Sequence, residues 1–140
     1  MTAYDDSNVF AKILRGEIPS VRIYETDEVV AIMDAMPQSR GHCLVIPKAA
    51  SRNLLDASPE VLAVLLPEAA RLARAIKAAF AADGVTVMQF NEASAGQTVF
   101  HLHVHVLPRY AGVDLQAHGS GMADPALLRE QAEVIRAHLA

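Results

Sequence analysis

Apolar residues and histidines alternate without interruption along residues 100–107: Phe100, Leu102, Val104 and Val106 interleave with His101, His103 and His105. Successive side chains of an extended strand point to opposite faces, so the pattern predicts a strand with one apolar face and one histidine face. Neighbouring rings on such a face stand roughly 7 Å apart along the strand. Buried imidazoles need hydrogen-bond partners, so a row of them is costly to arrange without a use.

Shorter alternating or apolar runs predict further strands over Arg22–Thr26, Val29–Asp34, His42–Pro47 and Val85–Phe90. Asp27-Glu28 makes a tight hairpin between the first two. In the third, Cys43 and Val45 share one face with Pro47, and His42, Leu44 and Ile46 share the other. Helical signals lie between and around the strands. Asp6 or Ser7 caps a short helix running to Arg15, with Val9, Phe10, Ile13 and Leu14 as its stripe and Gly16 as its stop. Ser58-Pro59 opens a long Ala- and Leu-rich helix reaching Ala82, kinked at Pro67 and ended by Asp83-Gly84. Asp124-Pro125 opens a last helix to about His138, after a flexible stretch from Tyr110 to Ala123. Only the long-helix link is not a hairpin, so the sheet is antiparallel, with the helices on one side: an α+β fold.

A chain of 140 residues fits one domain, residues 1–140, with a core over 7–110 and a tail and helix over 111–140. The net charge of −4 and the lack of a Lys/Arg run argue against duplex nucleic acid or an anionic membrane as partner. Cys43 is the only cysteine, which excludes an internal disulfide and a cysteine-based zinc site. Neither a signal peptide nor a membrane span is present, so the expected setting is soluble and cytoplasmic.

His101-x-His103-x-His105 followed by Pro108-Arg109 resembles the histidine triad (HIT) family of nucleotide hydrolases and transferases. Gly41-His42-Cys43-Leu44-Val45-Ile46-Pro47-Lys48 is similar to that family's second signature. Val9-Phe10-Ala11-Lys12-Ile13 with Gly16-Glu17-Ile18-Pro19, and Ala95-Gly96-Gln97-Thr98-Val99, are similar too, in the family's order over residues 7 to 110. The resemblance implies a meander of about five antiparallel strands, usually a homodimer, and a purine nucleoside phosphate substrate with a leaving group on its α-phosphorus. Many bacterial members hold a structural zinc through a Cys-x-x-Cys; here Asn8 and Ala11 stand at those positions, so no zinc and no other cofactor is expected.

A neutral imidazole is a nucleophile for phosphorus once the phosphate oxygens are neutralised. By resemblance His103 attacks, its other nitrogen holding a proton against the His101 carbonyl, while His105 and His42 flank the phosphate. Gly96 lets backbone amides approach the phosphate, Gln97 and Thr98 donate to its oxygens, and Thr98 also serves the leaving group. The resemblance also puts Asn91 near a family residue that contacts substrate, Asp34 at the position that accepts the ribose diol, and Phe10, Ile13 and Ile32 around the base slot. Lys48, Arg109 and Arg40 are near in sequence, but none is assigned to the phosphate.

Blander readings stand beside these. Asp34 can simply cap the loop before Pro37, Gly96 can be a turn residue, Phe10, Ile13 and Ile32 can be plain core, and His118 and His138 can be exposed and idle. A metal site is the sharper rival for the histidines, although no acidic residue or cysteine is suitably spaced and only His42 can join. Among functions, phosphoramidate or adenylyl-conjugate hydrolysis competes with dinucleoside polyphosphate hydrolysis and with a nucleotide-sensing module of little turnover.

Overall fold

In the computed structural model, which describes residues 3–119 and 121–139, the strands pair where the alternation is strongest. They are β1 (Arg22–Glu25), β2 (Val29–Met33), β3 (Cys43–Pro47), β4 (Gly84–Met88) and β5 (Val104–Arg109), all antiparallel, in the order β1-β2-β3-β5-β4. Three α-helices join them: α1 (Val9–Leu14), α2 (Pro59–Ala79) and α3 (Pro125–Arg136). The α+β class and the five-stranded sheet agree with the pattern and the resemblance.

Period-two alternation splits β2 and β3 between two cores. Val29, Ala31, Met33, Cys43 and Val45 face α2 and α3, while Val30, Ile32, Leu44 and Ile46 face Phe10 and Ile13 of α1. The expectation that all helices lie on one side is therefore corrected. The stripe of α1 is too short to join the α2–α3 core, and it covers the apolar half of the histidine face instead.

Local chemistry sets the ends. Asn8, not Asp6 or Ser7, caps α1, its Oδ1 accepting the Ala11 N–H at 2.9 Å. Ser58 caps α2, which runs unbroken through Pro67 and ends at Ala79; Asp83-Gly84 belongs to the entry into β4 rather than to the helix. Asp124 caps α3, and Arg136 near its end donates to the carbonyls of Arg22 and Ile23 at 2.8 and 3.2 Å. That covers the β1 edge, whereas β4 is the sheet's other edge.

The largest departure concerns the histidine strand itself. Its ladder begins at Val104, so Phe100 to His103 precede it as an irregular approach, anchored by the Leu102 N–H on the Ser51 carbonyl at 2.9 Å. Leu102, Val104 and Val106 still enter the core, but Phe100 does not: the Arg52 guanidinium stacks on its ring at 4.2 Å.

Gly41, just before β3, has φ +89, and a Cβ there would lie 2.6 Å from the Phe80 ring and 3.1 Å from Pro108. We expect Gly41→Ala to lower unfolding free energy by about 2–4 kcal/mol, combining left-handed strain and overpacking. A urea-denaturation midpoint equal to the parent's would contradict this close approach.

Candidate active site

Four histidines are buried together on the α1 side of the sheet. β3 and β5 pair Leu44 with His105, and His42 stands just before β3. The rings of His103 and His105 lie 5.0 Å apart, His42 and His105 5.2 Å apart, and Phe10 of α1 meets His103 edge-on at 4.8 Å. The His103 and His105 rings are thus closer than the roughly 7 Å between alternate residues of an extended strand.

Backbone groups decide which nitrogen of each ring carries its proton. The Gln38 N–H donates to His42 Nδ1 at 3.1 Å, so His42 holds its proton on Nε2. That Nε2–H donates to His105 Nδ1 at 2.9 Å, which leaves the His105 proton on Nε2. The His103 Nδ1–H donates to the His101 carbonyl at 2.6 Å, leaving the lone pair on Nε2. His101 donates from Nε2 to the Pro47 carbonyl at 2.7 Å and accepts the Tyr4 hydroxyl on Nδ1 at 2.7 Å. Tyr4 in turn accepts from Asn8 Nδ2 at 3.2 Å.

Their surroundings favour the neutral form of all four rings. Burial pushes His42 and His105 down to about 3 and His103 to about 4, while His101 is lowered by burial and partly restored by its bond to Pro47. Asp34 lies at the end of the cluster, with Oδ2 3.3 Å from His42 Nε2 and Oδ1 accepting the Met36 N–H at 2.8 Å. It therefore does cap its loop, and it also faces the site; burial raises its pKa. With His42 neutral, this contact is not an ion pair.

The fold supplies the acid that the spacing lacked for a metal. Ligand-type atoms of Asp34, His42 and His105 lie within 4.8 Å of one another. A cation would need the lone pair of His42 Nε2, however, and that atom carries the proton while Nδ1 is occupied by the Gln38 N–H. The proton arrangement opposes a metal there.

The loop from Asn91 to Thr98 corrects two expectations. Gln97 is buried, and its amide is used up internally: Oε1 accepts from Asn53 Nδ2 and the Glu92 N–H, and Nε2 donates to the Arg52 and Val99 carbonyls. It braces the loop and has no donor left for phosphate. Asn91 is engaged with the Gln89 side chain and with the Leu54 N–H. Glu92 has φ +75, a strained value for a side-chain-bearing residue, and the Arg52 fork holds it at 2.8 and 2.9 Å. Gly96, at φ +102, turns the loop. Phe10, Ile13 and Ile32 do come together in one cluster beside the rings.

Three contributors escaped the sequence reading. Tyr4 had no periodic signal, and the Gln38 N–H is a backbone group. His118, expected to be idle, stands with Nε2 3.4 Å from Thr98 Oγ1. The neighbouring cations are engaged elsewhere: Lys48 with Glu25, Arg109 with Thr86, Arg40 over Phe80.

Known proteins share this chain's sequence pattern and fold. The sequence model of the HIT domain matches residues 15–112. The crystal structure of a HIT-like protein involved in cell-cycle regulation from Bartonella henselae, solved with an unknown ligand, is 54% identical, covers 99% of this chain and 100% of its own, and superposes with a TM-score of 0.95. An adenylylsulfatase of Arabidopsis thaliana is 40% identical over 72% of this chain and 51% of its own length. An adenosine 5′-monophosphoramidase of Saccharomyces cerevisiae is 39% identical over 75% of this chain and 64% of its own.

Burial of neutral rings carries a pH signature. In the unfolded chain these histidines take up protons near the ordinary value of 6.5, whereas in the fold His42, His103 and His105 do so only at about 3 to 4. The unfolded state thus binds more protons through that window, and stability falls as pH drops below about 6.5, by up to about 1.4 kcal/mol per pH unit for each ring. Urea midpoints should stay level from pH 8 to 7 and decline steeply toward pH 4.5; a level profile throughout would refute the neutral cluster.

Proposed function

This chain belongs to the HIT family of nucleotide-binding hydrolases and transferases, and on that premise we propose that it hydrolyses purine nucleoside phosphoramidates or adenylyl conjugates through a nucleotidyl-histidine. The observation that carries the reading is the His103 ring, neutral, with Nδ1–H tied to the His101 carbonyl and its lone pair on Nε2. A phosphoramidase and an adenylylsulfatase among the relatives both release an adenylyl group from different leaving groups, which supports a shared first step.

In that step the Nε2 lone pair forms a bond to the α-phosphorus while the bond to the leaving group breaks, its electron pair departing with that group, which takes up a proton. The ring becomes cationic, and its Nδ1–H bond to the His101 carbonyl strengthens. His105 presents its Nε2–H to a phosphate oxygen, held in that tautomer by His42 and, behind it, the Gln38 amide. Water then attacks phosphorus and gives up a proton to solvent, the N–P pair returns to Nε2, and the nucleoside monophosphate leaves. Asp34 accepts the ribose hydroxyls, and Phe10, Ile13 and Ile32 receive the base. Closure of the β4 edge by a second copy gives a homodimer: β4 ends the sheet, Val87 on it is half exposed, and Leu66 on α2 is more so.

Protein quenched during turnover of adenosine phosphoramidate should carry one adenylate, mapped by mass spectrometry to His103. His103→Ala should lower kcat by about 10⁴-fold or more and still bind AMP. Undiminished hydrolysis by that variant would end the proposal, and a panel including diadenosine polyphosphates would show whether that branch is preferred. Saturable AMP binding with no turnover on any member would favour the sensing module.

A further inference from the structure

The carbonyl of His101, which holds the His103 Nδ1–H at 2.6 Å, lies ahead of β5 and outside its ladder. Sheet pairing therefore does not fix it, and its place depends on what anchors His101 and Leu102. One anchor is the Leu102 N–H on the Ser51 carbonyl at 2.9 Å. The buried His101 ring supplies two more, Nε2–H on the Pro47 carbonyl at 2.7 Å and Nδ1 under the Tyr4 hydroxyl at 2.7 Å. A ring tied at both nitrogens cannot turn without breaking one of those bonds.

The chain of bonds through Tyr4 has one direction. Asn8 Oδ1 accepts the Ala11 N–H at 2.9 Å as the cap of α1, which leaves Nδ2 to donate to the Asp5 carbonyl at 2.8 Å and to the Tyr4 oxygen at 3.2 Å. At the far end the Pro47 carbonyl can only accept, so His101 keeps its proton on Nε2 and a lone pair on Nδ1. The Tyr4 proton therefore goes to His101, and the two rings also meet edge-on at 5.6 Å. The segment ahead of α1 thus joins the helix that lays Phe10 on His103 to the histidine whose carbonyl orients the same ring.

We propose that Tyr4 is a positioning residue for the nucleophile: its hydroxyl locks the His101 ring, and the locked ring holds the His101 carbonyl against His103 Nδ1, so that the lone pair stays on Nε2. Tyr4 acts through His101 rather than on the reacting atoms. The consequence for turnover rests on the α-phosphate reading above, whereas the clasp itself does not.

The test compares the full-length parent with Tyr4→Phe, which keeps the ring against His101 and removes only the hydroxyl. Nitrogen-15 NMR of the imidazoles follows each ring proton with no substrate present, and the parent should show the His103 proton on Nδ1. In Tyr4→Phe that proton should exchange with water about 10-fold faster, as expected for the loss of one hydrogen bond. The His42 Nε2–H, held from the Gln38 side, should exchange at the parent's rate. That contrast separates positioning from a general loss of stability, which would quicken both. With adenosine phosphoramidate, kcat should fall by a similar factor at unchanged AMP affinity. Asn8→Asp gives a second arm: it keeps an oxygen to cap α1 but puts an acceptor where the Nδ2 donor stood, drawing the Tyr4 proton away from His101, and it should reproduce both changes. Unaltered exchange at His103 in a folded variant, or equal quickening at His42, would overturn the proposal, as would an undiminished kcat in an active enzyme. If the parent turns over no substrate and His103 is never adenylated, the hydrolase reading fails, while the exchange contrast still decides the clasp.

Discussion

Three backbone groups govern this protein's chemistry: the amide of Gln38 and the carbonyls of His101 and Pro47. Each meets one nitrogen of a buried imidazole and so decides where that ring keeps its single proton. The amide puts the proton of His42 on Nε2, and the bond from there puts that of His105 on Nε2 as well. The carbonyls put the protons of His103 and His101 on Nδ1 and Nε2. Four rings of one residue type thereby acquire distinct proton arrangements.

This ordering works because the rings are kept dry. Burial makes the charged form of each costly, so the rings stay neutral and their hydrogen bonds run in one direction. It also weighs against a metal, since the proton on His42 Nε2 occupies the position a cation would take. The dryness comes from packing: α1 lays Phe10 against His103, and Phe90 meets the His105 ring at 5.7 Å. The apolar half of the same sheet face anchors α1 through Val30, Ile32, Leu44 and Ile46.

The surrounding loops are braced rather than floppy. Gln97, Asn53, Arg52 and Glu92 form a closed polar knot that holds the turn at Gly96 against the strained backbone of Glu92. A buried polar network of this kind is tolerated because its members satisfy one another, and it gives a single loop shape. The tail after β5 is held in a comparable way, backbone to side chain, along the loop that carries Gln38.

Strand positions, the opposed faces of β3, the caps of α2 and α3 and the clustering of histidines were legible in the residues, because period-two alternation and capping chemistry are local. The resemblance pointed further, to His103 as a candidate nucleophile with His105 and His42 flanking it. The partners of each polar side chain were not legible. Gln97 and Asn91 look like substrate contacts on the chain, but the fold spends their amides on Asn53, Arg52, Gln89 and Leu54. Tyr4 and His118 carry no pattern at all, yet they reach the triad and its loop from 97 and 20 positions away. Alternation records which side of a sheet a residue faces. Which nitrogen holds a proton, and which hydroxyl or amide lies beside it, depends on contacts between segments distant along the chain, and those exist only once the tertiary structure has formed.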